Sequence, residues 1–181
     1  MAESGQTVGE RALDDDPIKT PGAFIMASFQ LLGLPAEPFA ELFDLSDAEL
    51  AAHHALRVVA SAQPGYPCRV SLVDADVGDE LLLLTFPHQP AASPYNASGP
   101  IYVRKGARQR RVEAGVIPEY VRSRLMSARA YDSAHMMVDA SVCEGSEAAF
   151  EIERLFGNDR VAYIHLHNAR RGCFSCRVDR V

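Results

Sequence analysis

The chain has 181 residues, with 18 lysines and arginines against 24 aspartates and glutamates, a formal net charge of −6. That length fits one domain with a real core, and 48% hydrophobic with 23% charged residues is ordinary for a soluble globular fold. No apolar run is long enough to span a bilayer, and the acidic balance argues against non-specific nucleic-acid binding.

Residues 1–22 are acidic and poor in apolar side chains. They are expected to form a disordered tail ahead of a single domain over 23–181. The first thirty residues lack a basic stretch followed by an apolar one, so no secretory leader is expected. Four cysteines are too few to read as a disulfide scaffold and point to a reduced, cytoplasmic setting.

The apolar run Phe24–Leu32 suits a strand or a buried helix. Ser46-Asp47-Ala48-Glu49 is a capping box, and Leu45 and Leu50 occupy the hydrophobic-staple positions, which predicts a helix from Asp47 to His54. Pro64-Gly65-Tyr66-Pro67 reads as a turn. Strands are expected at Arg69–Val73 and Glu80–Phe86, with Val77-Gly78-Asp79 between them. His88–Pro100 is rich in proline and serine and reads as a long loop, a place where function concentrates. Ile101–Arg104 follows as a strand. Arg104, Lys105, Arg108, Arg110 and Arg111 then form a basic stretch without an acid, a solvated loop or an intramolecular partner for the acidic tail.

Leu125–Tyr131 and His135–Cys143 pattern as paired strands around Asp132-Ser133-Ala134. Ser146 is placed to cap a helix whose Ala149, Ile152, Leu155 and Phe156 share one face, with Gly157 at its end. Strands at Val161–His167 and Cys173–Arg180 close the chain. The sum is an α+β domain with a largely antiparallel sheet and two or three short helices.

The last hairpin carries the candidate chemistry. With a loop of Asn168–Gly172, His167 would lie opposite Cys173, His165 opposite Ser175 and Tyr163 opposite Arg177, all on one polar face. Phe174, Cys176 and Val178 would face the core. Three chemistries suit such a face. His165 and His167 would ligate a divalent metal such as zinc, with a third ligand from Cys173, His88, His135 or Asp139. His167 would draw the proton from Cys173, making it a nucleophile, with Arg177 nearby to favour thiolate. Or Arg177, Tyr163 and His165, joined by Arg69 and Arg104, would hold an anion. Equally, the face is simply the polar outside of a sheet, with the cysteines packing as small hydrophobes. Cys173-x-x-Cys176 has a redox spacing, but on a regular strand residues three apart point to opposite faces. Cys68, in the proline turn, is a further candidate thiol. No phosphate-binding glycine motif or nucleophile elbow is present.

Pro64-Gly65-Tyr66-Pro67-Cys68-Arg69, the stretch from His88 through Ser93-Pro94-Tyr95-Asn96-Ala97-Ser98-Gly99-Pro100 to Arg104, and His165-Leu166-His167-Asn168 through Gly172-Cys173-Phe174 together resemble a mainly bacterial family. It is catalogued as domain of unknown function twelve-hundred-and-three. The resemblance covers Phe24 to Arg180. It implies a small single-domain protein and carries no activity with it. Its segments bring Cys68, Arg69, His88, Tyr95, Ser98 and Arg104 into the same candidate site as the last hairpin. The leading expectation is a polar pocket for an anionic small molecule, covered by the His88–Pro100 loop. The alternatives are a cysteine- or metal-dependent enzyme centred on His165, His167 and Cys173, and an interaction module using residues 104–111. No nucleic acid or membrane partner is expected.

Overall fold

The computed structural model describes Met1 and residues 28–181, so the expected tail over 1–22 and the start of the Phe24–Leu32 run lie outside the described residues. The elements in chain order are β1 (Phe29–Leu32), α1 (Glu37–Ala40), α2 (Asp47–Ala52), β2 (Ala55–Val59), β3 (Pro67–Cys68), β4 (Val73–Asp74), β5 (Glu80–Gln89), β6 (Ala97–Arg104), α3 (Glu119–Arg122), β7 (Leu125–Tyr131), β8 (Met137–Glu144), α4 (Ala148–Phe156), β9 (Tyr163–Asn168) and β10 (Phe174–Arg180). They build two five-stranded sheets. The first has the order β1-β10-β9-β7-β8 and the second β2-β5-β6-β3-β4. All pairings are antiparallel except a single parallel contact of Cys68 with Tyr102. The fold is α+β. No helix among the described residues is long and apolar enough to cross a membrane.

Local chemistry accounts for the helices. Ser46 and Glu49 form the full capping box that opens α2, and Leu50 buries its staple side. Along α4, Ala148, Ile152, Leu155 and Phe156 recur on one face and are buried against the first sheet, together with Ile164, Leu166 and Val178 of β9 and β10. A second core under the other sheet joins Phe39, Phe43 and Leu50 to Leu82, Leu84, Ile101 and Val103. Each fully buried aromatic or leucine contributes about 1.5–3 kcal/mol, so these two clusters hold the layers.

Beyond shifts of a residue or two at element ends, such as His135 in the turn before β8 with φ 61°, the structure departs from the sequence expectation in five places. Of the expected strand Arg69–Val73, Arg69–Leu72 is a tight turn and only Val73 is in a strand: the Leu72 amide donates to the Cys68 carbonyl at 3.0 Å and Leu72 has φ 50°. The chain therefore reverses between β3 and β4. The expected loop His88–Pro100 is shorter than its sequence suggests, since β5 continues to Gln89 and β6 begins at Ala97, leaving only 90–96 as the connection. Pro100 is tolerated there because β6 meets β3 only at Tyr102, so its Pro100 end has a free edge. Ser146 is no cap. It sits in a 3-10 turn over Gly145–Glu147, and Glu147 holds the N-cap position. Gly157 ends α4 in a helical conformation, φ −60°, rather than left-handed. The fifth departure is in the last hairpin and reorganises the candidate site.

Candidate functional site

The register of β9 and β10 carries a bulge. Phe174 pairs with His167, but Cys176 pairs with Leu166, Arg177 with His165 and Asp179 with Tyr163. One residue, Ser175, is thus extra on β10 and fully buried. The Asn168 amide donates to the Cys173 carbonyl at 2.9 Å, so Cys173 is opposite Asn168, not His167. The expected partnership of His167 with Cys173 is therefore wrong, and the two side chains alternate onto different faces. Phe174 takes the place expected of Cys173, among the histidines and not in the apolar core. The same bulge overturns the spacing argument against Cys173-x-x-Cys176. The two cysteines stand two ladder steps apart on one face, and both are free thiols.

On one face, β9 presents Tyr163, His165 and His167, as expected. His88 and Gln89 from β5 cover them. The His88 ring stacks on Phe174 at 5.2 Å and meets His167 edge-on at 5.1 Å. Gln89 donates to the Tyr163 hydroxyl at 2.7 Å, and that hydroxyl also pairs with His135 Nδ1 at 2.9 Å. The Arg177 guanidinium lies over the Tyr163 ring, 4.1 Å from its centre. Tyr95 packs edge-on against Tyr131, which stacks on Tyr163. His165 is 3% exposed and His167 1%. Burial, with help from His167 and Arg177, pushes His165 down to about 3. Burial pushes His167 down to about 4, partly offset by its bond to the Gly172 carbonyl. Both are neutral imidazoles at pH 7. A carbonyl accepts only, so His167 Nδ1 donates to Gly172 at 3.0 Å and its Nε2 is a bare lone pair, buried without a partner.

Metal ligation needs three such donors to converge. Among the described residues, no group of three or more His, Cys, Asp or Glu side chains is arranged to hold a metal ion. The rings of His88, His165 and His167 stand 5.1–6.3 Å apart, with Phe174 packed against all three. The residue that the bulge turned inward fills the space an ion would need.

An open concavity lies elsewhere, at the end of the first sheet where the β9–β10 turn meets the second sheet. It is a cleft of about 670 Å³. Pro64, Gly65, Pro67 and Arg69 form one wall, Asn168, Arg170, Arg171 and Cys173 another, and Arg124 with Glu144 closes the far side. Gly172 shapes the turn, with φ 73° that a side chain would resist. Arg124 is neutralised by Asp74 at 2.6 Å. Arg170 and Arg171 are exposed and make no ion pair among the described residues. Arg69 is 1% exposed. It donates through Nε to the Phe174 carbonyl at 2.9 Å, to the Pro67 carbonyl, and to Cys173 Sγ at 3.2 Å. Asn168 Nδ2 lies 3.4 Å from the same sulfur.

The expected site residues thus divide. Arg69 and Cys173 line the cleft. Tyr163, His165, His167, His88 and Tyr95 belong to the closed histidine face, and Arg177, exposed and paired with Asp179, lies at its solvent edge. Arg104 is on neither, since it pairs with Asp79 at 3.4 Å beside the second core. Cys68 is fully buried, and its sulfur accepts the Arg104 amide at 3.3 Å. Ser98 is an exposed β6 residue. Sequence reasoning missed Arg124 and Asn168, which carry no motif. It placed Arg170 and Arg171 in the hairpin loop without giving them a role, although adjacent arginines at a hairpin tip were a visible signal.

The chain's residues 65–180 match the family model described as protein of unknown function (DUF1203). The chain belongs to the DUF1203 family. The family match takes in the histidine face and all of the cleft lining except Pro64. No curated protein and no solved structure shows significant similarity to the chain.

Proposed function

We propose that the protein binds an anionic small molecule in the arginine-lined cleft. The observation that carries this reading is the pair Arg170 and Arg171, exposed at the hairpin tip without a carboxylate partner among the described residues, above the buried cation Arg69. The cleft falls within the roughly 300–1,000 Å³ range of small-molecule sites. Guanidinium groups fix carboxylates and phosphates through paired N–H donors. Tyr102 and Leu83 supply an apolar floor for the uncharged part of such a ligand.

The basic stretch 104–111 offers less to a partner than its composition suggests. Arg104 pairs with Asp79, Lys105 with Glu80, and Arg110 reaches the Leu72 carbonyl. Those charges already have contacts within the chain.

The test is thermal unfolding with inorganic phosphate, a dicarboxylate and an uncharged diol of similar size. Phosphate or the dicarboxylate should raise Tm in a saturable way, the diol should not, and Arg170→Glu with Arg171→Glu should abolish the rise. A rise that persists in the double variant, or none with either anion, overturns the reading.

A further inference from the structure

The buried guanidinium of Arg69 has three acceptors and no carboxylate among the described residues. Two of those acceptors are backbone carbonyls. The third, Cys173 Sγ, is the only one able to take a negative charge. A full charge withdrawn from water costs several kcal/mol unless an opposite charge meets it. Asn168 Nδ2 adds a second donor to the same sulfur. A thiol is a weak acceptor, whereas a thiolate receives two N–H donors well and neutralises the arginine.

The other three cysteines lack this setting. Cys68 and Cys176 are fully buried, and burial pushes Cys176 up to about 12. Burial and the acids Glu151, Glu147 and Glu144 all raise Cys143. Cys143 and Cys173 are both half-exposed, and of the two only Cys173 lines the cleft, beside arginines rather than acids.

We infer that Cys173 is a thiolate nucleophile for anionic low-molecular-weight disulfides. This rests on the cleft reading for its choice of charge, and on Arg69 and Asn168 for its reactivity. The Cys173 sulfur attacks one sulfur of the incoming disulfide. The S–S bond breaks, a new S–S bond forms to Cys173, and the electron pair leaves on the second half as a free thiolate. Cys173 is oxidised, the departing half is reduced, and no proton or further reagent is required. Arg170 and Arg171 attract the charged reactant. Arg69 is a positioning residue that favours the thiolate.

The test compares two chromogenic disulfides on the full native chain, the dianionic dithiobis-nitrobenzoate and the neutral dithiodipyridine, from pH 5 to 9. One cysteine should react faster than the others, peptide mass mapping should place it at Cys173, and Cys173→Ser should remove the fast phase. Arg170→Ala with Arg171→Ala should slow the anionic reagent roughly tenfold, as loss of electrostatic steering does, and leave the neutral one unchanged. Equal slowing of both reagents in the double variant, or of neither, overturns the anionic class. Slow reaction with both, or a fast phase mapping to Cys143, overturns the nucleophile. If phosphate still raises Tm in that case, the cleft reading survives its failure.

Discussion

The two faces served by the last hairpin differ in every property that decides chemistry. The histidine face is closed, aromatic and neutral: its two most buried imidazoles are held uncharged, and His88, Gln89 and Phe174 leave little room among them. The cleft end is open and cationic, with two arginines in water and one beneath them out of water. Both draw on residues within a few positions of each other in the chain. Titratable residues close in sequence therefore do not make one site. The ladder sorts them, and a single extra residue in β10 decides which side receives the thiol.

Removing that extra residue is the harshest test of the contrast. Deleting Ser175 re-phases β10, turning either Phe174 toward the core or Val178 away from it. Cooperative urea unfolding should be lost or its midpoint should fall drastically. An unchanged midpoint would mean that the bulge does not set the two faces apart. Arg69→Met comes next. It strands the Phe174 and Pro67 carbonyls and removes a tie between the sheets, and should cost about 3 kcal/mol in equilibrium unfolding. Tyr163→Phe removes the hydroxyl shared by Gln89 and His135 and should cost about 1–2 kcal/mol.

The acid limb of stability tests the neutral face. His165 and His167 titrate lower when folded than their ordinary value near 6.5, so the unfolded chain binds more protons between those values. Stability from these groups is fully present above about pH 6.5 and falls as pH drops toward about 4 and 3. His165→Phe should flatten this limb in urea midpoints measured from pH 7 to 4. The smallest effect belongs to the open side: Arg170→Ala with Arg171→Ala should move stability by less than about 0.5 kcal/mol, because both side chains are exposed.

Much of the fold was readable from the chain. The capping box at Ser46, the α4 stripe and the β7–β8 hairpin follow from local patterns that tertiary contacts did not override. The α+β class followed from their order. The short β3 and β4 were not readable, because two residues give no periodicity and their pairing depends on a turn with Leu72 in an unusual conformation. The candidate face on β9 was correct as far as Tyr163, His165 and His167. Its partner strand was not, since alternation has no term for an inserted residue. Nor could the sequence show that Arg69 would reach across to the carbonyl of Phe174, more than a hundred residues away.

That reach gives Arg69 a mechanical meaning. One end of its guanidinium fastens a residue of the second layer to the backbone of the first, while another touches the sulfur at the cleft wall. The joint between the layers and the lining of the cleft are thus one object. A change of bonding at that sulfur would therefore act on the same side chain that joins the layers, and chemistry at the cleft wall would reach the joint without passing through any other residue.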